Sequence, residues 1–333
     1  ESPVFGFFGF LGFFGFSCVV LLFVAVNKTE STVYQSPKAS FVKASPDVIA
    51  DPRSKYRSIN NGNNKGPTYI TVSDLSQEFT VLNYNFGDIL DEGAMVPRIL
   101  VLNMPHDIRD IKVPEERKRV FFKTVLPLIL ETNKLILVER ERILKIQAQK
   151  MKTGAVPAVD RLWLAALAAR YKIRSDNLPS IIRRVDIIPP SMALAQAAEE
   201  SGWGTSRFVL EGNALFGQYA STQAKHSLVP RDRVAGRDHS IRTFATLLDA
   251  VRSYAHNLNT HRAYRHFRGT RQTMRQNGEK IAGYKLITQL RSYSERGRKY
   301  VSTIRSIINL NRLKNLDNEK IQADFILKNN HST

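Results

Sequence analysis

The chain has 333 residues, 43% hydrophobic and 24% charged, a composition that suits a globular protein with one sizeable domain and accessories. Its single cysteine, Cys18, excludes an intrachain disulfide and any Cys/His zinc site. The 49 Lys and Arg outnumber the 30 Asp and Glu, a formal charge of +19, and residues 201–300 alone hold 18 of the cations against 6 acids. Such a field attracts polyanions without choosing among nucleic acid, anionic lipid and acidic wall polymer.

In chain order, Ser2 to Asn27 carries no charge and is apolar throughout. About 20 apolar residues cross a bilayer core, so residues 1–27 predict a membrane helix, with glycines at 6, 9, 12 and 15 tolerated in lipid and a signal peptide as the competing reading. Cys18 reads as a lipid-facing residue. Residues 28–94 read as linker, rich in Ser, Asn, Pro, Lys and Gly up to Pro67, with a short strand-like run at Thr68–Val72. Residues 95–180 form a helical accessory region. Between Pro114 and Lys152 apolar residues recur at helical spacing, and Pro127 is expected to kink or divide the helix. Asp160 suits the N-cap of a further helix that carries Leu162, Leu164, Leu167, Ala168 and Tyr171. A short helix spans Pro179–Val185, a hairpin is expected within Ser227–Phe244, and a last helix carries Val301, Ile304, Ile307 and Ile308. Residues 313–333 read as a polar tail.

The chemistry concentrates between Pro190 and Gln218. Pro190 suits a first helical turn, and Met192, Leu194, Ala195, Ala197 and Ala198 make a helix apolar enough to be buried, with Gly202 and Gly204 ending it. A carboxylate at the closing turn of such a helix, beside Trp203, is set up for a raised pKa, as a glycosidase acid requires. Adjacent helical residues point about 100° apart, so one of Glu199 and Glu200 faces a cleft and the other does not. Against this stands the plain reading of two surface glutamates.

Glu200-Ser-Gly-Trp-Gly204, followed by Gly212-Asn-Ala-Leu-Phe-Gly217, resembles the signature of bacterial glucosaminidases of glycoside hydrolase family 73. The stretches Arg184–Ser191, Asn257–Tyr264 and Tyr293–Gly297 resemble the Bax-type branch of that family, and the likeness runs over roughly residues 95–312. The resemblance implies a mainly α, lysozyme-like domain at 181–312 with a small β-hairpin lobe, acting on peptidoglycan at the β-1,4 bond after N-acetylglucosamine. It implies Glu200 as general acid and Tyr264 as an aromatic cleft residue. The family often places a second acid, usually Glu, in the hairpin lobe; here only Asp232 and Asp238 are available, and the substrate's own 2-acetamido group is the alternative partner. Asn213 and Phe216 are expected near the lower cleft. Trp203 is read mainly as a brace for the helix end, with sugar stacking as its second role.

The histidines at 239, 256, 261 and 266 lack the spacing of a metal site, and no phosphate-binding glycine loop occurs, so no cofactor is expected. The Arg262–Arg275 stretch is assigned to anionic wall polymer or stem-peptide carboxylates rather than nucleic acid. The expected protein is thus a peptidoglycan hydrolase held at the inner membrane through residues 2–27, with its catalytic domain in the periplasm. The rivals are a lytic transglycosylase and a non-catalytic wall-binding scaffold.

Overall fold

The computed structural model describes residues 70–220, 227–229 and 240–322. The expected membrane helix at 1–27, most of the linker, and both Asp232 and Asp238 lie outside the described residues. Among the described residues no helix is long and apolar enough to cross a membrane.

Residues 72–92, expected as linker, instead form two capped helices. Helix α1 (Val72–Val81) starts at Thr71, whose hydroxyl accepts from the Asp74 amide while the Asp74 carboxylate accepts from the Thr71 amide. The strand-like run therefore ends as an N-cap. Leu75 and Phe79, four apart, bury one face of α1. Asn85 caps α2 (Phe86–Glu92), which closes on Gly93 at φ +66°.

Helix α3 (Pro114–Thr153) is 40 residues long and runs unbroken through Pro127. Apart from half-buried Lys123, every residue from Val120 to Asn133 is buried. Packing on all sides of this stretch outweighs the roughly 3 kcal/mol that an internal proline costs a helix. Toward the far end Leu135, Leu137, Val138 and Leu144 are exposed. Helix α4 (Ala158–Arg170) follows Pro157, with no side-chain cap; Asp160 lies inside it and pairs with Arg142 of α3 at 2.9 Å. Leu164, Leu167 and Ala168 are buried, whereas Leu162 is exposed.

Helix α5 (Leu178–Arg184) leads to an extended segment that α3 holds by an amide clasp. Asn133 donates to the Ile188 carbonyl at 2.8 Å and accepts from the Ile188 amide at 3.0 Å. Helix α6 (Pro190–Ser201) follows, with ten of its twelve residues buried, as its alanine-rich sequence requires. It packs on α3, on α10 (Gly283–Leu286), on α11 (Arg298–Leu310) and on a 3-10 turn at Leu313–Asn318. A Cβ on Gly283 would sit 2.3 Å from Ser191 Oγ, so only glycine allows this approach. From the 3-10 turn Asp317 accepts from the Ser191 amide and hydroxyl, each at 2.9 Å, and from the Gly283 amide at 2.8 Å. Residues 313–322 are therefore packed rather than a polar tail: Leu313 and Leu316 are fully buried, and Ile321 bridges Val96.

Helix α7 (Arg207–Gly212) precedes a two-stranded antiparallel hairpin, β1 (Ser227–Leu228) and β2 (Ile241–Arg242). Helix α8 (Leu247–Thr260) packs along α3, and α9 (Arg265–Gln276) along α5. The arginine-rich stretch is in large part structural. Arg271 is fully buried and donates to the Asp186 and Ile187 carbonyls and to Asn259 Oδ1. Arg268 closes the Leu258 and His261 carbonyls, and Arg275 pairs with the buried Asp186 at 2.9 Å. Burial by itself would raise the Asp186 pKa, but Arg271, Arg275 and Arg140 together hold it below the usual carboxylate range. Helices from both the accessory region and the residues after 180 thus share one core around α3 and α6.

Candidate active site

Helix α6 ends in three consecutive left-handed residues: Gly202 at φ +57°, Trp203 at +60° and Gly204 at +82°. Each residue of Ser-Gly-Trp-Gly has a physical task in that turn. The Ser201 hydroxyl donates to the Ala197 carbonyl at 2.6 Å and accepts from the Gly204 amide at 3.0 Å. Trp203 sets its ring edge-on to Phe121 and Phe122 of α3, with the Lys118 ammonium 5.4 Å from the ring centre. A Cβ on Gly204 would lie 3.1 Å from Phe121 and 3.2 Å from both Ile108 and Met104. The left-handed backbone at Trp203 is strained for a side chain this large, and its aromatic contacts to α3 offset that strain. Trp203 is bound into this packing, which leaves its sugar-stacking role unsupported.

The turn separates the two glutamates. Glu199 takes Arg296 as an ion-pair partner. Glu200 is half-buried, makes no ion pair among the described residues, and faces the Tyr300 hydroxyl, a donor that favours its charged form. Burial raises the Glu200 pKa; the Tyr300 bond and the more distant Arg296 oppose that rise, and Glu199 adds to it.

Behind this contact runs a buried chain of hydrogen bonds. Gln196, one turn before Glu200 on α6, donates to Tyr300 Oη at 2.9 Å and accepts from Tyr254 Oη at 2.7 Å. Phe216 stacks flat on Tyr254, centres 3.8 Å apart and planes within 5°. Tyr293 lies flat against Tyr300 at 5.6 Å and donates to the Phe216 carbonyl at 3.3 Å. Tyr264 lies 6.1 Å from Tyr293. Burial raises the pKa of all four phenols, and each is close enough to Glu200 for its charge to raise them further. A Cβ on Gly217 would fall 3.3 Å from Glu200 Oε2, so this glycine keeps the approach to the carboxyl open.

The sequence candidates therefore divide. Glu200, Tyr264 and Phe216 are brought together. Asn213 is buried at φ +53° and donates to Asn103 Oδ1 at 2.9 Å and to the carbonyls of Phe244 and Ala245; it ties the hairpin base to the segment before α3. No position can be given for Asp232 or Asp238. Tyr254, Tyr300 and Gln196 were not among the candidates, and Tyr293 stood within a quoted motif without a role. Gln196 alone carried a usable signal, as a polar residue four before Glu200 in an otherwise apolar helix. Among the described residues no group of three or more His, Cys, Asp or Glu could hold a metal ion.

Residues 179–313 match the glucosaminidase family model, described as mannosyl-glycoprotein endo-beta-N-acetylglucosaminidase. Over 200 residues the chain is 33% identical to Protein bax of Escherichia coli (strain K12), an alignment covering 58% of this chain and 69% of that protein. No solved structure matches. With the Glu200 turn and its tyrosine cluster in place, these matches identify the chain as a member of the Bax-type glucosaminidase family.

Proposed function

We propose that the chain is a peptidoglycan hydrolase, an endo-β-N-acetylglucosaminidase that cleaves the β-1,4 bond after N-acetylglucosamine with Glu200 as general acid. The observation that carries this reading is the state of Glu200: a half-buried carboxyl, raised in pKa by burial, facing a tyrosine hydroxyl and paired with no cation among the described residues. Such a group holds its proton toward neutral pH and can deliver it to a leaving glycosidic oxygen. As the bond to C1 breaks, positive charge develops on the sugar ring, beside a site that holds the resulting Glu200 carboxylate through Tyr300.

Two routes complete the reaction. In one, Asp232 or Asp238 takes a proton from a water that attacks C1, which inverts the centre and places the two carboxyls roughly 6.5–9.5 Å apart. In the other, the 2-acetamido oxygen of the substrate attacks C1. Water then opens the ring so formed and gives its proton to the Glu200 carboxylate. By the same proposal residues 2–27 anchor the chain in the inner membrane and the catalytic domain faces the periplasm.

Mass spectrometry of digested sacculi tests the reading. Reducing N-acetylglucosamine ends are expected, lost in Glu200→Gln. Anhydromuramic ends would instead identify a lytic transglycosylase. Sacculus binding without any product from either form would identify a scaffold.

A further inference from the structure

A polar cavity lies on the face of α11 turned away from Tyr300. Arg298, Ser302, Arg305, Ser306 and Asn309 recur at helical spacing along one stripe of the helix. With Tyr284 of α10 opposite, they line a cavity of 290 Å³. None of the tyrosines gathered around Glu200 lines it.

Its chemistry is one-sided. Arg305 Cζ lies 4.0 Å from the Tyr284 ring centre, and Arg298 stands in the same lining; Lys314 Nζ approaches the ring at 4.0 Å without lining the cavity. None of these three cations forms an ion pair with a carboxylate among the described residues, although exposed arginines elsewhere do, as in Arg296–Glu199, Arg312–Asp91 and Arg174–Asp176. No acid lines the cavity; its remaining polar groups are two serine hydroxyls, an asparagine amide and a phenol. Asn309 donates to Tyr284 Oη at 3.3 Å. Arg305 Nε is buried with no hydrogen-bond partner. Like charges gathered around one ring repel each other, and a bound anion relieves that repulsion through charge-assisted hydrogen bonds from guanidinium and hydroxyl together.

We propose that this cavity is a binding site for a small oxyanion of the phosphate class, distinct from the Glu200 cleft and independent of the hydrolase reading. A phosphate, free or as a lipid headgroup, presents several acceptor oxygens to the guanidinium, hydroxyl and amide donors of this lining. A lone carboxylate uses only part of that donor set.

Calorimetric titration of the full chain with inorganic phosphate at low ionic strength tests the site. Saturable binding is expected, weakened by about tenfold or more in Arg298→Gln/Arg305→Gln and by less than about twofold in the charge-matched surface pair Lys150→Gln/Lys152→Gln. Ser306→Asp, which places a negative charge on an exposed part of the stripe without disturbing the Tyr284 stack, is expected to abolish binding while thermal unfolding stays unchanged. Co-sedimentation with phosphatidylglycerol against phosphatidylcholine vesicles separates the sources. Loss of vesicle binding in Arg298→Gln/Arg305→Gln assigns a lipid headgroup, and binding confined to dissolved phosphate assigns a free phosphate. Equal weakening in both paired variants, binding unaffected by Ser306→Asp, or acetate bound as tightly as phosphate would overturn the proposal. Muralytic activity is not the readout, so failure here leaves the Glu200 reading untouched.

Discussion

Gln196 donates to Tyr300 Oη at 2.9 Å, and the Tyr300 hydroxyl faces Glu200, so a residue of the same helix positions, through a tyrosine of another, the group that holds the carboxyl's pKa down. The arrangement gives Tyr300 a fixed partner on α6. It also uses both amide atoms of a fully buried glutamine, whose loss of either partner costs about 1–3 kcal/mol.

Glu200→Gln keeps the size and polarity of the side chain but removes the proton. Muralytic activity is expected to fall by roughly 10²–10⁴-fold, with unchanged thermal unfolding. Wild-type turnover by this variant would reject Glu200 as the acid.

The pH–rate profile should carry the signature of that group. A general acid works protonated, so activity is expected to decline as pH rises through the raised Glu200 pKa. The Tyr300 bond favours the charged form and holds that pKa down. Tyr300→Phe should therefore move the alkaline limb to higher pH. A limb that stays in place or moves down would deny the contact its electrostatic role.

Gly204→Ala tests the turn after the catalytic helix. At φ +82°, with its new Cβ 3.1 Å from Phe121, the alanine is expected to destabilise the protein by about 1–3 kcal/mol. Denaturant unfolding measures this directly, and a neutral result would mean that α3 yields easily at that contact.

Acid stability should depend on Asp186. Its folded pKa lies below the ordinary 3.8, so the stabilisation is present above that value and is lost as pH falls through the folded pKa. Asp186→Asn is expected to cost about 3–5 kcal/mol near neutral pH, since it leaves Arg271 buried without its counter-charge, and to flatten the acid limb of the stability curve. Urea midpoints measured across pH decide between this and an unchanged limb.

Much of the site was legible locally. An apolar helix begun by Pro190 and closed by Gly202 is a short-range pattern, and Glu200 stands at its end whatever the rest of the chain does. Helix ends, the hairpin around Ser227 and Arg242, and the alternation of Glu199 with Glu200 follow from turn chemistry and the 100° step of a helix. Other features depend on partners far away in sequence. Pro127 is tolerated because α3 is surrounded; Thr71 caps a helix where the composition suggested linker; residues 313–322 are ordered by α6 and Val96. Arg268 and Arg271 look like a polyanion surface in one dimension and become carbonyl clamps in three. The tyrosines converge on Glu200 from α8, α11 and the segments before α9 and α11, up to 104 residues from Gln196 of α6, and no local period announces that meeting. Helix and turn preferences act over a few residues, whereas burial and pKa depend on which distant surfaces close over a group. The place of Glu200 belongs to the first kind of cause, and its chemical character to the second.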